Sequence, residues 1–203
     1  MTYKRKDAHY RRAKAEGFRA RSAYKLAEID DRHRLFKAGH RVVDLGAWPG
    51  GWLQVALERV GPQGRVVAVD VVTIEPVGAP NAVLLVGDIR NPETVADIRS
   101  QIGGLADVVL SDVAPKLTGV RDTDEARCAE LVGAVVEALP FLLKPTGRAV
   151  LKVFMDADYQ ATLTRLREVF RVVKTTRSEA SRQGSAELYV IGDGLRVADP
   201  ACG

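Results

Sequence analysis

From residue 41 onward, short valine-rich runs alternate with segments of helical length, and that alternation limits the fold more than anything else in the chain. Arg41–Gly46 reads as a short buried strand, Gly51–Val60 as a helix closed by Gly61-Pro62, Arg65–Asp70 as a second strand and Ala82–Val86 as a third. Pro92 opens a helix to Ile102. Asp107–Ser111 is a fourth strand. Asp124–Leu143 is a long amphipathic helix stopped by Lys144-Pro145-Thr146-Gly147, and Arg148–Phe154 is a fifth strand. Asp156 caps a helix to Phe170, and strands Arg171–Thr176 and Glu187–Ile191 follow. A further helix over 20–33, closed by Gly39, precedes the series. Alternating strands and helices require an α/β fold with a mostly parallel sheet covered on both faces. The last two strands have no helix between them, so they form an antiparallel hairpin at one edge of a seven-stranded sheet.

The first strand runs into Asp44-Leu-Gly46-Ala-Trp-Pro-Gly50-Gly51-Trp52. A glycine turn at the carboxyl end of a strand lets backbone approach a ligand. Asp70 ends the second strand, where an acid can bind both hydroxyls of an adenosine ribose. Asp88, after the third, can reach an exocyclic adenine amine. A dinucleotide site would need G-x-G-x-x-G facing a pyrophosphate, and the glycines here are spaced otherwise. Asp44 would repel a pyrophosphate and suits the cationic methionine end of S-adenosylmethionine. The residues therefore favour a methyltransferase over a dehydrogenase.

The fourth strand enters Ser111-Asp112-Val-Ala-Pro115, and Lys152 is set within Val150-Leu-Lys-Val-Phe154. A lysine among apolar residues on a central strand is costly to bury without a partner. At that strand's carboxyl end it would share a crevice with Asp112. Glu187 is another acid opening a hydrophobic strand; alone it reads as an edge charge.

Asp-Leu-Gly-Ala-x-Pro-Gly-Gly-Trp, Ser-Asp-x-Ala-Pro, Leu-Lys-Val-Phe and Ser-Arg-x-x-Ser-x-Glu-x-Tyr occur in that order, after Arg21-Ser-Ala-Tyr-Lys25-Leu. The set, spanning residues 19–192, resembles the FtsJ family of RNA ribose 2′-O-methyltransferases. The resemblance implies a Rossmann-like methyltransferase fold and a catalytic tetrad of Lys25, Asp112, Lys152 and Glu187, with Lys152 as proton acceptor. It also implies a donor site lined by Gly50, Trp52, Asp70, Asp88 and Asp112, beside Asp44, Gly46 and Gly51 of the glycine turn. Trp48 stands where an alanine is usual, and Lys116 where an asparagine is common. The implied reaction is methyl transfer from S-adenosylmethionine, without a metal, to a uridine ribose 2′-hydroxyl of large-subunit (23S) ribosomal RNA. Transfer RNA methylation at the anticodon loop and a non-catalytic ribosome-assembly role are the alternatives.

Charge supports an RNA partner. Residues 1–25 carry nine basic and two acidic side chains, while the rest of the chain is acidic by three. Phosphates bind such a basic segment by releasing counterions, and Tyr3, Tyr10 and Phe18 interleave it as stacking platforms or as core. The expected division is an RNA-contacting extension over 1–19 and a catalytic domain over 20–203. Cys128 and Cys202 lack metal-type spacing and read as free thiols. No run of about 18 apolar residues is present. The expectation is a cytoplasmic monomer that does not enter a membrane.

Overall fold

The computed structural model describes residues 15–115, 118–181 and 185–196. Its elements, in chain order, are α1 (Ser22–His33), β1 (Arg41–Leu45), α2 (Gly51–Val60), β2 (Arg65–Asp70), β3 (Ala82–Val86), α3 (Pro92–Ile102), β4 (Ala106–Ser111), α4 (Arg121–Leu142), β5 (Leu143–Phe154), α5 (Tyr159–Val169), β6 (Phe170–Thr176) and β7 (Glu187–Leu195). One seven-stranded sheet has the order β3-β2-β1-β4-β5-β7-β6. All neighbours run parallel except at β7, which is antiparallel to both β5 and β6. The terminal hairpin is therefore present, with β7 inserted inside the sheet and β6 as the edge.

Strand order reverses between β1 and β4, so a crevice opens at their carboxyl ends. The sheet separates two apolar cores. Val43, Leu45, Val67, Val69, Val109 and Leu151 pack with Ile98 of α3, Leu139 of α4 and Leu166 of α5. Val42, Val66, Ala68, Leu110, Val150 and Tyr189 pack with Leu26 and Ile29 of α1 and Leu53 of α2. Side chains alternate faces along a strand. Asp44, Asp70, Asp112, Lys152 and Glu187 thus share parity with the residues facing α1 and α2, while α3, α4 and α5 cover the other side.

Several boundaries differ from expectation. α1 begins at Ser22 and ends well before Gly39: Arg34 takes a left-handed conformation (φ 50°), and the Asp30 carboxylate accepts the Leu35 and Phe36 N–H groups. Side-chain capping by an acid stopped this helix where a glycine was expected to. α4 starts at Arg121 and carries Pro140 in its last turn; Lys144–Gly147 then belong to β5, because Leu143 pairs with Ala106 as soon as the helix ends. α5 is capped at Asp158, whose N–H binds Asp156 Oδ1 at 3.1 Å, so Asp156 shapes the turn before the helix. β7 continues past Ile191 to Leu195 because β6 offers it partners that far.

Candidate active site

Four charged side chains from four elements meet on the α1–α2 face. Lys25 Nζ, from α1, lies 2.7 Å from Glu187 Oε2, at the start of β7. Lys152 Nζ, from β5, lies 2.9 Å from Asp112 Oδ1 and donates to the Asp112 carbonyl at 2.9 Å. Both lysines are buried, at 4% and 6% exposure, which an unpaired ammonium would not tolerate. Each also sits near an aromatic ring: Lys25 is 5.9 Å from the Tyr189 centroid and Lys152 5.7 Å from that of Phe154. Ser185 donates to Glu187 Oε2 at 3.1 Å.

The two pairs act on each other. Burial raises the Asp112 carboxyl above its ordinary value, against the pull of Lys152 and Lys25 and with the push of Glu187. Burial would raise Glu187 as well, but its hydrogen bond to Lys25, the Lys25 charge, Ser185 and Lys152 hold it below the usual range. The four groups are thus one electrostatic unit with alternating signs.

Beside it lies the glycine turn. Gly46 and Ala47 both donate to the Val69 carbonyl, at 2.9 and 3.1 Å, and Asp112 N–H donates to Leu45 O at 3.0 Å. Gly46 has φ 73°, and a Cβ there would stand 2.8 Å from the Val113 backbone, so only glycine fits. Gly50 has φ 112° and packs under Arg19; Gly51 packs against Ala20 and Ser22 at the start of α1.

The three acids of this half are used differently. Asp44 is 0% exposed, and neither carboxylate oxygen has a hydrogen-bond partner among the described residues. Burial, with the negative charges of Asp112 and Asp70, raises its pKa well above the ordinary value. Asp70 accepts two backbone donors, Trp48 N–H and Val72 N–H, each at 2.9 Å. Asp88 accepts three donors of Arg90: the backbone N–H at 3.0 Å, Nε at 3.0 and 3.1 Å, and Nη2 at 2.6 Å. An ionised carboxylate has about four acceptor positions. All four are unpartnered at Asp44 and two at Asp70, while Asp88 has accepted three hydrogens, the Nε one shared between its two oxygens, and has room for one more. That inventory matches an ammonium group, a pair of vicinal hydroxyls and a single amine hydrogen.

The donor pattern therefore fits S-adenosylmethionine. Trp52 is placed otherwise than a lining residue: its indole is 2% exposed, donates to Ser22 O at 2.9 Å and packs 5.8 Å from Tyr189. The indole joins α2 to α1, so any contribution of Trp52 to the crevice comes from its backbone. Trp48, by contrast, is 56% exposed beside the turn. Lys116, Tyr3, Tyr10 and Cys202 lie outside the described residues.

Sequence reasoning missed two supports and left a third, Phe18, open between stacking platform and core. Arg19, assigned to the RNA-contacting extension, is built into the crevice wall: its guanidinium donates to Glu75 O and, at 2.5 Å, to Pro76 O, while its backbone N–H binds Gln54 Oε1 at 2.8 Å. Phe18 stands edge-on to Tyr24 at 5.5 Å and packs on the core. Glu28, one turn beyond Lys25, accepts Ser178 Oγ at 2.5 Å and the Glu179 N–H at 2.9 Å, anchoring the β6–β7 connection to the helix that carries Lys25. Only the position of Glu28 at i+3 from Lys25 could have suggested this. A groove of about 820 Å³ between α3 and α4, lined by Val95, Gly133 and Phe141, lies on the opposite face. The charged cluster sits instead on the α1–α2 face.

The chain is similar to known proteins in sequence and in fold. The FtsJ-like methyltransferase family matches residues 18–195. Proteins named ribosomal RNA large subunit methyltransferase E are similar throughout. The one from Methanothrix thermoacetophila is 47% identical over 96% of this chain and 75% of its own, and the one from Azoarcus sp. is 44% identical over 94% and 92%. Among solved structures, a ribosomal RNA methyltransferase of Plasmodium falciparum superposes with a TM-score of 0.76 at 24% identity, over 88% of this chain and 98% of that one. Aeropyrum pernix fibrillarin with bound S-adenosyl-L-methionine gives 0.60 at 17% identity, over 84% and 76%. With its glycine turn, its parallel sheet and its paired lysines and carboxylates, this chain belongs to the FtsJ-like methyltransferase family.

Proposed function

We propose that the protein transfers a methyl group from S-adenosylmethionine to the ribose 2′-hydroxyl of a uridine in 23S ribosomal RNA of the large subunit. The observation that carries this is the meeting of Lys25–Glu187 and Lys152–Asp112 on one sheet face beside the Asp44–Gly46 turn. Relatives of similar length named ribosomal RNA large subunit methyltransferase E support the choice of RNA.

When bound, S-adenosylmethionine supplies a methyl group already made electrophilic by a sulfonium. The protein must supply alignment and a proton acceptor. Lys152 Nζ spends two hydrogen bonds on Asp112, which fixes the amine and leaves one position for the 2′-hydroxyl. In its neutral form Lys152 takes the hydroxyl proton as the oxygen attacks, a contribution of roughly 100- to 10,000-fold. Lys25, held by Glu187 and Tyr189, steadies the developing negative oxygen. Asp44, Asp70 and Asp88 bind the donor, and Gly46 lets it come close to the backbone.

Residues 1–19 contact RNA phosphates, with Arg19 serving the crevice as well. No helix among the described residues is long and apolar enough to cross a membrane, and the reading has the protein acting as a monomer in the cytoplasm. The test is incubation with labelled S-adenosylmethionine and either 50S subunits or bulk transfer RNA, followed by mapping of the labelled nucleotide. Label on a 23S uridine 2′-oxygen is expected. Label on transfer RNA, or none on either, overturns the assignment.

A further inference from the structure

Of Asp44, Asp70 and Asp88, only Asp88 has its carboxylate held by another side chain among the described residues. It follows the glycine that closes β3, and Gly87 there leaves no room for a Cβ beside Thr94, at 2.7 Å. Within that turn one residue orients the carboxylate. It is Arg90: its N–H, Nε and Nη2 engage both oxygens, at 2.6 to 3.1 Å. Arg90 is itself held from outside the turn, since Nη1 donates to Glu130 Oε1 of α4 at 2.8 Å.

A fork that grips a carboxylate through several N–H groups fixes its plane and rotamer. The Arg90 hydrogen bonds also hold the Asp88 carboxyl below its ordinary value, outweighing burial. An ionised carboxylate has no hydrogen to donate. With three hydrogens already accepted, the Nε one shared between both oxygens, Asp88 has room for one more. It can take one hydrogen from an exocyclic amine. Opposite a carbonyl oxygen it would set acceptor against acceptor.

We propose that Arg90 is a positioning residue that sets the purine specificity of the methyl donor, presenting Asp88 as a fixed acceptor that takes a 6-amino purine and rejects a 6-oxo purine. This rests on the reading of the crevice as an S-adenosylmethionine site. Glu130 makes α4 part of the same device, because loss of its carboxylate frees one end of the guanidinium.

The experiment compares binding of S-adenosylhomocysteine with that of its 6-oxo counterpart, S-inosylhomocysteine, by calorimetry on the full chain. Sites built to bond a substrate N–H reject analogues lacking it strongly; for a partly exposed carboxylate a preference of about 100-fold is expected. Asp88→Ala should abolish that preference. Arg90→Ala should lower it to about 10-fold or less, with kcat at saturating donor within about 3-fold of wild type and the RNA KM unchanged. Arg90→Lys, a point charge without the fork, should restore part of it. Glu130→Ala should weaken it by a smaller factor. If Arg90→Ala does not fold, Arg90→Gln serves the same comparison. A preference kept by Arg90→Ala or Arg90→Gln, or by Asp88→Ala, overturns the proposal. Failure of the wild-type protein to bind S-adenosylhomocysteine at all would instead remove the donor-site reading on which it rests.

Discussion

The halves of the crevice proposed to hold the donor and to carry the catalysis are built on different principles. The donor half, at the ends of β1, β2 and β3, is made mostly from backbone: Gly46 and Ala47 on Val69 O, and Trp48 and Val72 on the Asp70 carboxylate. Its parts come from one continuous stretch, residues 44–90. The catalytic half is made from side chains that start far apart: Lys25 and Glu187 are separated by 162 positions, Asp112 and Lys152 by 40. The donor half also leaves carboxylate oxygens without a hydrogen-bond partner among the described residues, above all at Asp44, whereas the catalytic half pairs each charge internally. A site that binds a cation keeps its carboxylates available. A site that must hold two ammonium groups under a sheet covers their cost with partners from its own chain.

The comparison breaks most sharply at Lys152. Lys152→Ala should slow single-turnover methyl transfer on RNA by about 1,000-fold while leaving S-adenosylhomocysteine affinity within about 3-fold, since the residue serves only the catalytic half. Equal loss in both measurements would mean that the halves are not separable. Gly46→Ala should do the reverse. Its Cβ would meet the Val113 backbone at 2.8 Å in a positive-φ conformation, a strain of about 1–3 kcal/mol. S-adenosylhomocysteine affinity, measured by calorimetry, should fall by about 100-fold if the strain displaces the turn onto the ligand.

Asp44 sharpens the contrast through pH. Its folded pKa is raised, so between the ordinary aspartate value, about 3.9, and that raised value the folded state binds more protons than the unfolded one. Stability contributed by this group is therefore highest below the ordinary value and is lost as pH climbs toward the raised one. Glu187, lowered by Lys25, contributes the opposite trend at the acid end. Asp44→Asn should remove the Asp44 component: melting temperatures of mutant and wild type without ligand should diverge in the mutant's favour as pH rises. The same substitution should weaken S-adenosylhomocysteine binding by about 10-fold. Parallel melting curves would remove the assignment of Asp44 to a buried, donor-seeking role.

The smallest expected effect separates two truncations. Removing residues 1–14 should weaken RNA binding and flatten its salt dependence with donor affinity unchanged. Removing residues 1–19 should also lower donor affinity by a few-fold, because Arg19 then no longer packs on Gly50 or reaches Glu75 and Pro76. Identical donor affinity in the two proteins would return Arg19 to the RNA-contacting segment alone.

Legibility followed the same division. The seven strands and their helices were readable from period and punctuation, because a parallel strand buried on both faces must be a continuous apolar run. The places of Asp44, Gly46, Asp70 and Asp88 at or just past strand ends were readable because each strand is a continuous apolar run that stops there. The end of α1 was misplaced because the Asp30 carboxylate supplies a cap that propensity does not register. Trp52 was readable as part of the turn, but the direction of its indole depends on what α1 and Tyr189 place beside it.

Sequence alone determined the alternating fold, the donor turn with its acids, and the motif order that marks the family. Only the tertiary structure decided that Lys25, Asp112, Lys152 and Glu187 form one cluster. Three strands present these groups at the same two-residue parity, and insertion of β7 beside β5 brings Glu187 within reach of the helix that carries Lys25. Strand order and helix docking are set by long-range burial of apolar area, which no local spacing records. The same holds for Arg90, whose hold on Glu130 depends on where α4 comes to rest.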